Sequence, residues 1–328
     1  MKAAAFLFRG TLSLAACVCS QAAYSQNWPS KTVTLIVTNG AGGPYDGSSR
    51  ALGQALAQAL NVPFVIDNRP AGSGIAGATA VAKAAPDGYT LLSTGSGNMT
   101  LYPALKRDLP YDPPKELVGI MRMGVIETFL MVHPSVPASS VRELFELAKA
   151  KPNTVSWGEW GPISPSNMYI QWLKATKGLQ FFDVPYKIAT QALNAGMTGE
   201  VQVTVFAQGQ ALPLVKAGKF KALAASGSKR SPALPDVPLL SETGTGFDLD
   251  VPLWIGLLAP AGTPRDILDR LHGLSAGLLR DRAYTDRALT GLGFRPDEPQ
   301  SMEAFAEFLK RDRKAYEDLI RVTGIKDE

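Results

Sequence analysis

One stretch near the amino terminus limits the possible folds of this chain more than any other. Residues 33–37 form a β-branched apolar run, glycines follow at Gly40, Gly42 and Gly43, and apolar residues recur at helical spacing after Asp46. This order predicts a strand, a tight glycine turn and a helix. Such a junction presents unbonded backbone N–H groups and the positive end of a helix dipole, which together attract an anion. The alternative is an ordinary strand-to-helix turn.

Strands and helices continue to alternate along the 328 residues, a length that suggests two domains. The alternation predicts an α/β protein with parallel, doubly wound sheets in two Rossmann-like lobes. Strands at 118–123 and 128–132 follow each other without a helix, and we place the first crossing between the lobes there. A buried strand at 254–260 is predicted to cross back. We therefore expect lobe I to contain residues 26–125 and 250–328, and lobe II to contain residues 126–249.

Residues 1–25 have the features of a secretory signal peptide. Lys2 and Arg9 are followed by a short apolar run and then by small residues. Removing this segment takes away both cysteines, Cys17 and Cys19, and predicts a periplasmic protein without disulfides. In an alternative interpretation, residues 14–17 form a lipoprotein cleavage box and Cys17 carries the lipid.

Charge and motif content exclude several classes of function. A net charge of +4, with both signs interspersed, provides no basic stripe for nucleic acid. His133 and His272 are the only histidines, so a hydrolase triad and a histidine metal site are both disfavoured. We expect no metal and no cofactor. A pair formed in space by Asp46, Glu159 or Asp183 stays open, because sequence spacing does not test it.

Glycine- and serine-bearing loops follow other strands as well. In open α/β sheets ligands lie beyond the carboxyl ends of the strands, so residues 93–98 are expected to line the same cleft as the first loop. Residues 158–166 are the counterpart in lobe II, where Ser164 or Ser166 can cap the next helix and Trp160 is expected to face the cleft rather than the core. The glycines at 72, 74 and 77 match a dinucleotide pattern, but we interpret them as close packing of a helix on the sheet.

A series of motifs occurs in one order along nearly the whole mature chain. They lie at residues 28–31, 41–43 with Asp46 and Arg50, 68–70, 82–92, 109–112, 132–137, 184–187, 230–238 and 256–264. Together they resemble the Bug receptors, the extracytoplasmic solute receptors of the tripartite tricarboxylate transporter system. The resemblance implies two lobes that close by hinge motion on a small carboxylate, and membrane permease subunits as partners of a monomeric receptor.

Carried onto this sequence, the resemblance and the loop argument give one set of candidate ligand-binding residues. These are Gly40, Ala41, Gly42, Gly43, Tyr45, Asp46, Ser93, Ser96, Asn98, Trp160, Gly161, Ile163, Ser164, Tyr186 and Phe206. The chain departs from the family at 38–40 and 158–162, and the family often has histidine at Asn167, glycine at Ile188, and aspartate at Gln202 and Phe206. The larger, more apolar wall in lobe II leads to the hypothesis that the ligand is an aromatic or aliphatic carboxylate.

Two other functions remain open at this point. A secreted α/β enzyme acting on a small acid would need an acid-base pair in the cleft, for which Asp46 and Glu159 are candidates. A sensory subunit would bind the same ligand and present the closed form to a different membrane partner.

Overall fold

The computed structural model describes residues 28–106, 108–247, 249 and 251–326. The expected signal peptide, Cys17 and Cys19 lie outside these residues. The strands are β1 (Val33–Val37), β2 (Phe64–Asn68), β3 (Thr90–Gly95), β4 (Leu117–Ile126), β5 (Thr128–Val132), β6 (Ser156–Glu159), β7 (Phe182–Pro185), β8 (Val203–Ala207), β9 (Lys221–Ala225), β10 (Leu253–Pro260) and β11 (Arg295–Pro296).

The helices cover the faces of the sheets. They are α1 (Pro44–Leu60), α2 (Ile75–Ala82), α3 (Tyr102–Leu105), α4 (Pro113–Glu116), α5 (Val141–Ala150), α6 (Pro165–Lys177), α7 (Ala189–Thr198), α8 (Gln208–Lys216), α9 (Arg265–Arg280), α10 (Arg282–Ala288) and α11 (Met302–Thr323). A π-helical turn at Gly97–Leu101 precedes α3, and short 3-10 turns lie at Leu240–Thr243 and Thr290–Leu292.

Two sheets form the centres of the two lobes, which confirms the predicted fold class. The first has the strand order β11-β4-β10-β3-β1-β2 and the second has the order β7-β6-β8-β5-β9. Both sheets are mixed rather than wholly parallel. The strand β10 is antiparallel to β3 and β4, and β5 is antiparallel to β8 and β9.

Strands β5 and β10 enter their sheets from the other lobe, and the short edge strand β11 is also antiparallel to its neighbour β4. The strand β4 leaves the first sheet at its carboxyl edge, and Glu127 connects it to Thr128, which pairs with Ala207 at the carboxyl end of β8. Strand β10 makes the return, with Leu253 beside Ile126. A strand that enters at a carboxyl edge must run away from that edge, so it is antiparallel to its neighbours. The crossings therefore place the carboxyl edges of the two sheets opposite each other.

Helix α1 positions the first loop on the first sheet. Leu52, Leu56 and Leu60 recur at helical spacing and are buried against β1 and β3. Burial of each leucine side chain stabilises the fold by about 2 kcal/mol. Pro44 stands at the first helical turn, where its missing N–H costs nothing, and Asn61 ends the helix in a left-handed conformation.

Helix α11 belongs to both lobes. Phe305 near its start packs in the core beside β10 and β4, whereas Tyr316 and Leu319 pack in the core of the second lobe. Within the described residues, no helix combines the length and the apolar character needed to cross a bilayer.

Candidate ligand-binding cleft

The first loop ends in a helix amino terminus that no side chain caps. Gly43 is the N-cap residue of α1 and is extended, and Gly40, Ala41 and Gly42 are exposed. Gly42 has a φ of +86°, which favours glycine. Because the first N–H groups of a helix have no partner within the helix, this loop can donate backbone hydrogen bonds to an anion.

Asp46 holds the shape of this loop. Its buried carboxylate accepts hydrogen bonds from the Gly42 N–H at 2.8 Å, from Arg50 Nε at 2.9 Å and from Asn68 Nδ2 at 2.9 Å. Loss of hydration on burial would by itself raise the pKa of Asp46, but the hydrogen bonds from Arg50, Gly42 and Asn68 outweigh it and lower that pKa. Asp46 is therefore an ionised structural acceptor, and it consumes one of the loop's N–H groups.

Tyr45 supports the loop from below. Its hydroxyl donates to the carbonyl of Trp254 at 3.1 Å, and its ring meets Phe294 edge-on with 5.3 Å between centroids. Burial raises the pKa of the Tyr45 phenol, so it stays neutral. Tyr45 thus ties α1 to the return strand β10.

The expected loop at 93–98 is mostly regular structure, because Ser93 lies within β3 and Asn98 lies in the π-helical turn that follows it. Ser93 is buried and shares a hydrogen bond of 2.7 Å with Ser49, so its hydroxyl is used within the lobe. Ser96 is 1% exposed and Asn98 is 5% exposed. Neither Ser96 Oγ nor Asn98 Oδ1 has a hydrogen-bond partner among the described residues.

These two unpartnered oxygens are energetically significant. A buried polar atom without a partner costs about 1–3 kcal/mol, so it is expected to face a ligand group or water. Asn98 Nδ2 is engaged, since it donates to the Ser73 carbonyl at 3.4 Å.

The glycines at 74 and 77 are packing positions. A Cβ at Gly74 would lie 2.6 Å from Thr38, and one at Gly77 would lie 3.0 Å from the Arg69 carbonyl.

The counterpart loop in the second lobe is held by its own polar groups. Ser164 is the N-cap of α6, where its hydroxyl accepts from the Asn167 N–H at 3.2 Å and donates to the Gly161 carbonyl at 2.8 Å. Glu159 accepts from the Gly161 N–H at 2.6 Å. Burial raises the pKa of Glu159, the charge of Asp183 adds to the increase, and the Gly161 hydrogen bond opposes it.

An aromatic pair forms the wall beside this loop. Trp160 is half-buried and stacks on Phe206, with ring centroids 4.4 Å apart. Ile163 is half-buried against the lobe II core, and Ile188 is 55% exposed at the start of α7. Trp157, by contrast, is fully buried, and its indole N–H donates to Ser166 at 2.8 Å.

The Tyr186 hydroxyl is not directed toward the facing carboxyl edges of the two sheets. The hydroxyl donates to Glu200 at 2.8 Å, and Glu200 precedes β8 rather than following it. Burial, together with this bond and the charge of Glu200, raises the pKa of Tyr186 to about 12.

The first loop lines a cavity of about 480 Å³ together with residues that sequence reasoning missed. Its walls include Gly42, Gly43, Pro44, Ile126, Ala207, Gly209, Gln210, Thr290, Gly291, Leu292 and Gly293. Trp160, Gly161, Ile163 and Ser164 are not among its walls. A Cβ at Gly209 would lie 3.0 Å from the Gly293 Cα, so the lobes touch here. The glycines on both sides of Leu292 were the available sequence signal.

An ion pair stands at the first crossing between the lobes. Glu127, between β4 and β5, accepts from Arg295 Nε at 2.7 Å and is 6% exposed. Gly227 has a φ of +101°, and a Cβ there would lie 2.3 Å from Glu127 Oε1. This contact explains why a glycine stands at 227.

The histidines have structural partners. His133 Nδ1 lies 2.8 Å from Ser135 Oγ, and His272 Nε2 lies 2.7 Å from the Gln300 carbonyl. No group of three or more histidine, aspartate or glutamate side chains that could hold a metal ion is found among the residues the structure describes.

Known proteins are similar to this chain in sequence and in fold. A family model described as "Tripartite tricarboxylate transporter family receptor" matches residues 49–325. A UPF0065 protein of Bordetella bronchiseptica is 30% identical over 305 residues, which are 93% of this chain and 89% of that protein. The solved structure of Rpa4515 from R. palustris with adipate has a TM-score of 0.74 and 28% identity, and the match covers 92% of this chain and 99% of that chain.

A second solved structure, MatC from Rhodopseudomonas palustris with bound malate, has a TM-score of 0.70 and 28% identity, and the match covers 89% of this chain and 100% of that chain. The fold is therefore that of a two-lobed solute-binding receptor of the periplasmic-binding-protein type. Within this class, the chain belongs to the tripartite tricarboxylate transporter receptor family, which confirms the resemblance to the Bug receptors.

Proposed function

We propose that this protein captures a small carboxylate between its lobes in the periplasm, closes on it as a monomer, and delivers it to a permease of the tripartite tricarboxylate type. The observation that carries the proposal is the uncapped amino terminus of α1 on the same carboxyl edge as the unpartnered oxygens of Ser96 and Asn98. A helix amino terminus attracts a carboxylate, and buried acceptors suit a ligand hydroxyl or a bridging water. Relatives with bound adipate and malate support a carboxylate.

We further propose that the ligand has an aromatic or aliphatic body. Trp160, which covers the buried Phe206, offers an apolar surface, and Ile163 and Ile188 lie on the same lobe. Burying an apolar body against this wall is favourable, whereas a second charged group would lose its hydration there. Because position 206 carries no carboxylate, an ammonium group would find no partner at that point.

The test is calorimetric titration of the mature protein after unfolding and refolding, which removes any carried ligand. The panel contains benzoate-type and alkyl carboxylates, malate, citrate and glutamate. We expect binding of the apolar carboxylates, with the compound recovered unchanged. Binding confined to citrate or glutamate would refute the apolar ligand, and conversion of the compound would favour an enzyme.

Trp160→Ala identifies the wall that contacts the ligand. It should weaken the binding of apolar carboxylates by about tenfold or more, because it removes an aromatic surface that contributes about 1.4 kcal/mol or more to binding. Trp172→Ala is the matched control, since Trp172 is also half-buried and stacks on a phenylalanine, Phe247, at 5.4 Å. Equal losses in both variants would place the ligand elsewhere.

Delivery is tested separately from binding. In membrane vesicles that contain the cognate permease, uptake of the ligand should require the receptor. A receptor that binds ligand but never supports uptake, and instead changes the state of another membrane protein, would favour sensing.

A further inference from the structure

A second cavity lies beneath α11. It has a volume of about 440 Å³, which is within the range of small-molecule sites. Its walls are formed by Met99, Pro113, Pro114, Leu117, Val118, Gly119, Ala261, Gly262, Leu268, Met302, Ala306, Leu309, Lys310 and Arg313. One face of α11 therefore closes the cavity against the start of β4 and the turn after β10.

Most of this cavity lies away from the candidate cleft, although its walls include Met99, the residue after Asn98. Pro260 pairs with Leu117, and both lie at the end of the first sheet where β1 and β3 begin. The cleft lies at the opposite edge, where β1 and β3 end. The residues around Leu117 and Ala261 therefore belong to a separate site.

The lining has the chemistry of an amphipathic anion site. Most of its side chains are apolar, its charged members are Lys310 and Arg313, and no acidic residue is among the lining residues the structure describes. Lys310 is paired with Glu307 at 2.7 Å. Arg313 donates to the Met99 carbonyl at 3.3 Å, which holds its guanidinium beside the cavity. The half-buried Asp112 interacts with Arg313 but forms its close ion pair with Lys115 at 2.8 Å.

We propose that this cavity is an accessory site for an apolar monocarboxylate such as a medium-chain fatty acid. The chain of the ligand fills the apolar floor between Met99, Leu117 and Leu309, and its carboxylate meets Arg313. An arginine binds a carboxylate with two parallel hydrogen bonds, which suits one head group at the end of an apolar slot. The site is independent of the carboxylate proposed for the cleft.

The test uses octanoate on the full mature chain, with calorimetry for affinity and hydrogen exchange for location. We expect protection of residues 113–119 and 302–313, in addition to any protection of residues 40–46 from binding in the cleft. Ala306→Trp fills the cavity from an exposed helix position. It should abolish protection of residues 113–119 and 302–313 and leave any protection of residues 40–46 unchanged. Arg313→Gln should weaken the binding of octanoate to this cavity by tenfold or more. The uncharged 1-octanol should bind wild type and variant equally.

Matched controls lie on the same helix. Ala304→Trp introduces the same side chain at an exposed position outside the cavity, and Lys314→Gln removes a cation that pairs with Asp318 at 3.1 Å. Both should bind octanoate like the wild type. Protection confined to residues 40–46, or unchanged protection in Ala306→Trp, would overturn the accessory site without affecting the proposed function.

Discussion

Replacing Asp46 with asparagine tests whether one buried carboxylate shapes the first loop. Asparagine retains one oxygen, so it cannot accept from Gly42, Arg50 and Asn68 together, and its amide group must then face a donor. Loss of one charge-assisted hydrogen bond costs about 1.5–3 kcal/mol. The Arg50 side chain is 51% exposed, which weakens its share of the interaction. We therefore expect a loss of about 2 kcal/mol in the free energy of unfolding.

This loss corresponds to a decrease of about 3 °C in melting temperature for a chain of this size. The pH dependence gives a second signature. Because the pKa of Asp46 is lowered by folding, its stabilisation is full above the unfolded value of about 3.9 and is lost as pH falls through the folded value. The difference between wild type and Asp46→Asn should thus be largest near pH 7 and shrink below pH ~4.

Urea unfolding measures stability, and calorimetry measures affinity for the cleft ligand, which should fall about tenfold as the loop loses its shape. Asp67→Asn is the control. Asp67 pairs with Arg69 at 2.8 Å, and both side chains are about a third exposed or more, so its loss should cost little. Equal stability of Asp46→Asn and wild type at pH 7, or equal losses in both variants, would refute the reasoning.

Three further substitutions probe other contacts. Gly95→Ala should give an insoluble or unfolded chain in an expression assay, because the added Cβ would lie 1.9 Å from the Trp254 carbonyl. Ser164→Ala removes the cap at the Asn167 N–H, so thermal unfolding should show a loss of about 1 kcal/mol, with weaker ligand binding. Glu159→Gln should stabilise the protein at pH 7 and lose that advantage near pH 4, since the raised pKa makes the ionised carboxylate unfavourable in the folded state.

Two of these substitutions have a control elsewhere in the chain. Gly273→Ala adds a Cβ where nothing lies within 4 Å, so soluble yield should stay normal. Ser301→Ala removes a similar cap from α11 and should lower stability without changing ligand affinity. A Glu159→Gln variant whose stability follows wild type at every pH would show that this carboxyl group is not strained by burial.

Local patterns predicted most of the secondary structure. Apolar residues at helical spacing predict helices at 265–279, 282–289 and 301–322, and α9, α10 and α11 match these ranges within one residue at each end. The return strand predicted at 254–260 begins one residue earlier, at Leu253. Such elements follow from apolar spacing, glycines and caps within a few residues, so the sequence contains their cause. The family is likewise readable from motifs in order.

Tertiary structure decided which polar groups stay available. Ser93 and Ser96 are three positions apart, yet Ser93 lies in β3 and is bonded to Ser49, whereas Ser96 follows the strand and has no partner among the described residues. Trp157 and Trp160 are three positions apart, and only Trp160 stays half-exposed on Phe206. Spacing along the chain does not determine partners that come from other strands.

The sequence by itself therefore determined the class of fold, the crossing strands and the family. The tertiary structure decided that Asp46 accepts a hydrogen bond from the first loop and that the Tyr186 hydroxyl is directed toward Glu200. It also decided that residues 207–210 and 290–293 share a cavity with the first loop. The physical reason is distance along the chain. Residues 207–210 and 290–293 are brought together by strands that enter each sheet from the opposite lobe, and no local pattern records that meeting.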